Sequence, residues 1–180
     1  MAITASDLEY RFSAPEASGG NQQAQDTPAN SLGLWLATTP WLGGALHDLF
    51  GLVSGDDNAN MSIEYRCLFF INKHATLTLT SPVAWFTSQV SGGAVAAMGV
   101  DPTAASALNT TTPQALEIAN RTIAPAGVAF SAPTSKGAGI ALGNIGPRQC
   151  KAVWIRRSAF ATVALDADGF GIRVEGDSLA

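Results

Sequence analysis

The sequence predicts an all-β protein: an antiparallel β-sandwich, jelly-roll-like, with an N-terminal arm and a short helical turn in an insertion at residues 31–53. Two observations predict it. Residues 62–72 (SIEYRCLFFIN) alternate with period two, Ile63, Tyr65, Cys67, Phe69 and Ile71 on one face and Glu64, Arg66, Leu68, Phe70 and Asn72 on the other. Elsewhere, short runs of β-branched and aromatic residues recur with turn residues between them at roughly eight- to twelve-residue spacing, the pattern of a sandwich or closed antiparallel fold.

The strand at 62–72 organises the rest. Its second face turns apolar at Leu68 and Phe70, so that half is expected to be covered on both sides, as in a central strand or one lying under a partner subunit. Before it, residues 8–13 (LEYRFS) alternate as a short strand, and residues 1–13 form an arm able to join its own sheet or a neighbour's by strand addition. Residues 14–30 hold no large apolar side chain and read as a loop. Residues 31–53 are densely apolar but broken by Pro40, Gly43 and Gly44; a strand at 34–38 and a helical turn at 45–50 are expected. Trp35 and Trp41 there pack as an end cap or form a docking surface. Residues 54–60 (SGDDNAN) read as a polar turn. Three parts result: the arm at 1–13, loop and insertion at 14–59, and a sandwich core at 60–180.

After Asn72, a turn at Lys73–His74 leads to a strand at 76–80, which Pro82 is expected to break, and a further strand at 83–87. A weak, Ala-rich strand is expected at 93–100. Residues 101–125 read as a long Ala, Asn and Thr segment in which TPQALEIAN makes a helical turn or an edge strand. Strands follow at 127–131, 139–142, 149–157 and 170–174, with turns at 143–148 and 165–169.

Composition narrows the function. The 180 residues are 47% hydrophobic but only 13% charged, against about a quarter in ordinary domains. So weakly charged a surface is either a mild monomer surface or one that neighbours cover. A net charge of −4 argues against nucleic acid as a partner, since neutralising phosphates takes clustered Lys and Arg. The one local basic cluster is Arg156-Arg157 with Lys151 nearby, which reads as a strand-end interface pair or a solvated edge. Two cysteines, Cys67 and Cys150, are too few for a disulfide scaffold and read as buried thiols, with an inter-sheet bridge the alternative. The first twelve residues lack a basic n-region and an apolar stretch, so no signal peptide is expected. No segment is apolar for long enough to span a membrane. Synthesis and assembly in the cytoplasm are expected, and the sequons at Asn60, Asn109 and Asn120 then carry no meaning.

Candidates for chemistry are few. Histidine is the side chain whose ordinary titration range lies near neutrality, and the chain has two, His47 and His74; but His47-Asp48 are chain neighbours, and neighbours rarely make a base and its orienter. Neither G-x-S-x-G nor S-x-x-K occurs. His47, Cys67, His74 and Cys150 match no zinc spacing. Asp166 and Asp168 resemble the start of a calcium loop, but the pattern fails at Phe170, and a hairpin turn is the simpler reading. No glycine-rich loop opens a helix to cradle phosphate. No catalytic, metal or cofactor residues are assigned. Trp85, Phe86 and Trp154 are candidate sugar-stacking aromatics, although aromatics in strands are usually core.

Several segments resemble a known group: ITASDLEYR, EYRCLFFINKHATLTL followed by VAWF, TIAPAGVAFSAP, IALGNIGPRQCKAVWIRR and RVEGDS. Together they resemble small structural proteins of tailed bacteriophages and prophages, over residues 2–13 and roughly 60–177. In that group the turn before the aromatic strand reads G-x-I-P-x-G-Q; here it is Gly143-Asn144-Ile145-Gly146-Pro147-Arg148-Gln149. Residues 14–59 depart from the group. The resemblance implies a non-enzymatic virion component, a decoration or cement-type subunit on capsid, neck or tail. Its partners would be major capsid or tail and neck proteins, and further copies of itself, with neither nucleic acid nor membrane. Contact residues expected on this reading are Leu8, Tyr10 and Phe12 in the arm, Trp35 and Trp41 in the insertion, Leu68 and Phe70 on the central strand, and Arg156 and Arg157. The alternative is a carbohydrate-binding, receptor-recognising sandwich module displayed on the virion.

Overall fold

The computed structural model describes residues 2–14, 28–45, 47–90, 92–162 and 169–178. The fold is all-β, with two antiparallel sheets. The larger sheet holds β1 (Leu8–Ala14), β2 (Trp35–Pro40), β3 (Ile63–Asn72), β5 (Ala94–Val100), β6 (Ser106–Ala107) and β8 (Gln149–Ala159). Its order is β2-β1-β3-β8-β5, with the short β6 also on β8. The smaller sheet runs β7 (Ile140–Ala141), β4 (Leu79–Val90), β9 (Gly169–Ser178).

The strand at 62–72 is central, as its alternation predicts. β3 pairs with β8 over its full length, from Ile63 opposite Ser158 to Asn72 opposite Gln149, and with β1 from Leu8 opposite Asn72 to Phe12 opposite Leu68. Every residue from Glu64 to Asn72 is buried. Its even-numbered face, with Leu68 and Phe70, meets the smaller sheet in a core that includes Phe12, Phe86, Met98, Ile155 and Val174. Its odd-numbered face, with Tyr65, Cys67, Phe69 and Ile71, is roofed by a second core with Ala115, Ile118 and Trp154. Both covers come from this chain, so Leu68 and Phe70 are not left for a partner subunit.

The N-terminal strand lies in its own sheet. It leaves β3 after Phe12, where its pairing with β2 slips between Arg11 and Ser13. Ser31 then takes over as β3's neighbour: the Cys67 amide donates to the Ser31 carbonyl at 2.8 Å, and Ser31 Oγ donates to the Cys67 carbonyl at 2.5 Å. Most of the loop expected at 14–30 lies outside the described residues.

The expected helical turn forms later than its sequence position suggests. Residues 47–50 make turns and bends, with positive φ at Gly43, Gly44 and His47. The α-helix, α1, is Gly55–Ala59, inside the stretch read as a polar turn. A capping box sets it: the Asp57 amide donates to Ser54 Oγ at 3.0 Å, and the Ser54 amide donates to the Asp57 carboxylate at 3.0 Å. Pro82 likewise does not break its strand. β4 runs through it, because the register against β9 shifts between Thr80 and Val83, and a bulge needs no amide from proline.

The largest departure is at 101–135. Residues 113–121 form neither helix nor edge strand, and 127–131 is not a strand but a coil joined to β5 by one bridge, Met98 to Ser131. This irregular segment is the outer roof. Its anchor is Asp101, fully buried, whose carboxylate accepts from the Thr103 amide (2.8 Å), the Leu116 amide (2.9 Å) and the Trp154 indole (2.7 Å). Gln114 is a second pin: its Oε1 accepts from the Leu36 amide at 2.9 Å and its Nε2 donates to the Ala107 carbonyl at 2.8 Å. Polar residues here do what a strand ladder does elsewhere, satisfying buried amides one by one.

The cysteines are buried and unbonded, as the thiol reading expects. Cys67 stands opposite Trp154 and Cys150 opposite Ile71, a four-residue offset between adjacent strands. That separates them by about 13 Å along the sheet, and a disulfide needs Cα atoms within about 7 Å.

Candidate interaction surface

Large apolar side chains left in water are the informative residues on a chain with so little charge. Among the described residues they are Leu42, Leu52, Met61, Ile63, Val90, Ile123 and Phe160, each at least 40% exposed. All but Leu42 gather at one end of the sandwich. Met61 and Ile63 lead into β3, and Phe160 leaves β8, its amide donating to the Gly93 carbonyl at 2.8 Å. Val90 ends β4, whose Gln89 side chain accepts from the Ala96 amide at 2.5 Å and so ties it to the start of β5. Ile123 lies two residues beyond Arg121, whose carbonyl accepts from the Tyr65 amide at 2.8 Å. Leu52 follows Gly51, whose carbonyl accepts from Arg157 at 2.5 Å.

The same end carries an ionic clamp. Glu64, 5% exposed, accepts from Arg157 Nη2 at 2.5 Å and is ion-paired with Arg121, Nε to Oε1 at 2.6 Å. Glu64 and Arg157 are directly opposed across β3 and β8, so the strand register makes this pair. Arg66, 1% exposed, donates to the Tyr65 carbonyl at 2.8 Å. The guanidiniums of Arg66 and Arg157 lie 5.5 and 5.0 Å from the centre of the Phe50 ring. Burial pushes both guanidiniums below their usual range, and Glu64 opposes that shift; arginine stays charged all the same. The clamp therefore fastens the segment around Phe50 across the end of the large sheet.

The residues expected to make contacts are scattered. Phe12, Trp35, Leu68 and Phe70 are all under 8% exposed and hold the cores together rather than present a surface. Leu8 and Tyr10 are half-buried against the inner core, where burial pushes the Tyr10 hydroxyl well above its usual range. Trp41 is half-buried, edge-on to Tyr10 and near Phe170. Arg156 and Arg157 are not one patch. Period two sends them to opposite faces, Arg157 to Phe50 and Arg156 to Phe130 at 5.4 Å. Of the two, Arg157 is the one that joins the clamp.

The candidate sugar-stacking aromatics are occupied: Trp85 is 8%, Phe86 1% and Trp154 0% exposed. His47 is on an exposed loop. The His74 ring accepts from the Leu77 amide at 2.9 Å and closes its own turn. Among the described residues no group of three or more His, Cys, Asp or Glu is arranged to hold a metal ion. Asp166 and Asp168 lie outside the described residues. No helix among the described residues is long and apolar enough to cross a membrane.

The exposed apolar end escaped sequence reading because Ile63 shares the alternation of the buried residues after it. Only its place as the first residue of β3, beyond the roof, leaves it in water. No protein-family model, curated protein or solved structure matches this chain.

Proposed function

We propose that this chain is a non-enzymatic structural subunit of a tailed-phage virion, a decoration or cement-type protein on capsid, neck or tail. It attaches by the apolar end of its sandwich. The observation that carries the reading is the gathering of six exposed apolar side chains at that end, beside the clamp of Glu64, Arg121 and Arg157. An apolar patch rimmed by charge is the usual composition of a protein contact. The segments that resemble phage structural proteins supply the virion context, and the self-covered central sheet supplies a rigid body to hold such a patch.

Co-sedimentation of the purified protein with phage heads and with phage tails tests this. The wild type is expected to travel with one of the two particles. The L52S/M61S/V90S variant is expected to lose that binding while nearly keeping the wild-type melting temperature, because these three side chains are 60–73% exposed. A wild type that binds neither particle, or a triple variant that binds as well as wild type, defeats the reading.

A further inference from the structure

The smaller sheet ends at β9, a ten-residue strand at its edge. Among the described residues its backbone pairs only with β4. An open edge of this length is a template for another strand. Phe170, Ile172 and Val174 face the inner core. Gly171, Arg173, Glu175 and Asp177 therefore face outward. Arg173 and Glu175 have side chains 61% and 33% exposed and already sit 2.6 Å apart on one strand. Lys136 also reaches Glu175, at 3.2 Å.

We propose that β9 pairs antiparallel with β9 of a second copy, about a two-fold axis through Val174. In that register Arg173 of each copy stands opposite Glu175 of the other, so two opposite-charge pairs form by symmetry. The remaining positions are also complementary in size. Ile172 meets Gly176, Phe170 meets Ser178, and Asp177 meets Gly171, a larger side chain against a small one each time. Neighbouring registers that keep the core faces together are rejected. An axis through Arg173 sets arginine against arginine, and one through Glu175 sets glutamate against glutamate. The sequence of β9 thus selects one self-pairing. The inference goes beyond the virion reading and needs no phage particle to test.

The experiment is sedimentation velocity on the full chain as wild type, R173E, E175R and an equal mixture of the two variants. Wild type is expected to dimerise. Each variant alone faces two like-charge pairs, and its self-association should weaken at least about tenfold. The mixture should restore a heterodimer, since both cross-strand pairs then set a glutamate of the R173E copy against an arginine of the E175R copy. Neither variant regains the Arg173–Glu175 contact within its own strand, so a purely structural effect would not be rescued by mixing. Far-UV circular dichroism checks that both variants fold; a variant that does not is replaced by R173Q or E175Q, each of which should show partial weakening. A wild type that stays monomeric at its solubility limit, a dimer indifferent to both reversals, or a mixture that does not associate overturns the proposal.

Discussion

Replacing Asp101 by asparagine tests whether polar pins hold the outer roof. The carboxylate is fully buried and accepts three N–H donors, Thr103 on Oδ1 and Leu116 and the Trp154 indole on Oδ2. Lys151 lies close by, its ammonium donating to the Asp101 carbonyl at 2.7 Å and also to the Thr103 carbonyl. Asparagine has nearly the same shape but only one acceptor oxygen. With that oxygen in the place of Oδ2, two bonds survive without their charge, and the amide nitrogen confronts the Thr103 N–H, donor against donor. A lost bond to a charged acceptor and a partly buried amide left facing a donor together cost about 2–4 kcal/mol. For a chain of this size that lowers Tm by roughly 5–15 °C. Urea titration followed by circular dichroism reads the stability. Hydrogen exchange should show protection lost first at the Thr103 amide, whose acceptor is gone, and next at the Leu116 amide, whose acceptor has lost its charge. Combining D101N with W154F should give a coupling of at least about 0.5 kcal/mol, because W154F removes a bond whose acceptor D101N has already stripped of its charge. A D101N cost below about 0.5 kcal/mol, with Thr103 and Leu116 both still protected, would refute the pin.

Two other outcomes follow from the fold. Gly33 has φ +101°, and a Cβ there would lie 1.8 Å from the Leu116 carbonyl oxygen. G33A should therefore cost at least about 3 kcal/mol, whereas G127A, at φ +72° with open space around it, should cost only about 1–2 kcal/mol; equal urea midpoints for the two would contradict the packing. Burial pushes both thiols up, Cys150 to about 12 and Cys67 well above its usual value. Neither should react with a thiol-labelling disulfide reagent in the native state at mildly alkaline pH, and both should react in urea. A native protein whose mass shows an internal disulfide would contradict the four-residue offset.

Local pattern settles the central strand. The alternation of 62–72 needs no tertiary information to be read as β, because successive side chains in a strand must point opposite ways. It also made burial on both sides the natural reading of Leu68 and Phe70, which the two cores bear out. The same rule, applied to β8, separates Arg156 from Arg157, so a basic pair in sequence need not be a basic patch in space. Local chemistry was equally decisive for α1, where the Ser54–Asp57 box, rather than apolar density, marks the helix start.

Tertiary structure decided the rest. Nothing periodic in 101–135 announces a roof; it becomes one because Asp101, Gln114 and the Trp154 indole find their partners across long stretches of chain and satisfy amides that a ladder would otherwise pair. Exposure was likewise beyond sequence reading. Ile63 and Phe69 have the same phase on the same strand, yet one is 41% exposed and the other fully buried. Phase is a property of the strand alone, whereas burial depends on where the roof and the opposing sheet stop, which is fixed only when distant segments pack.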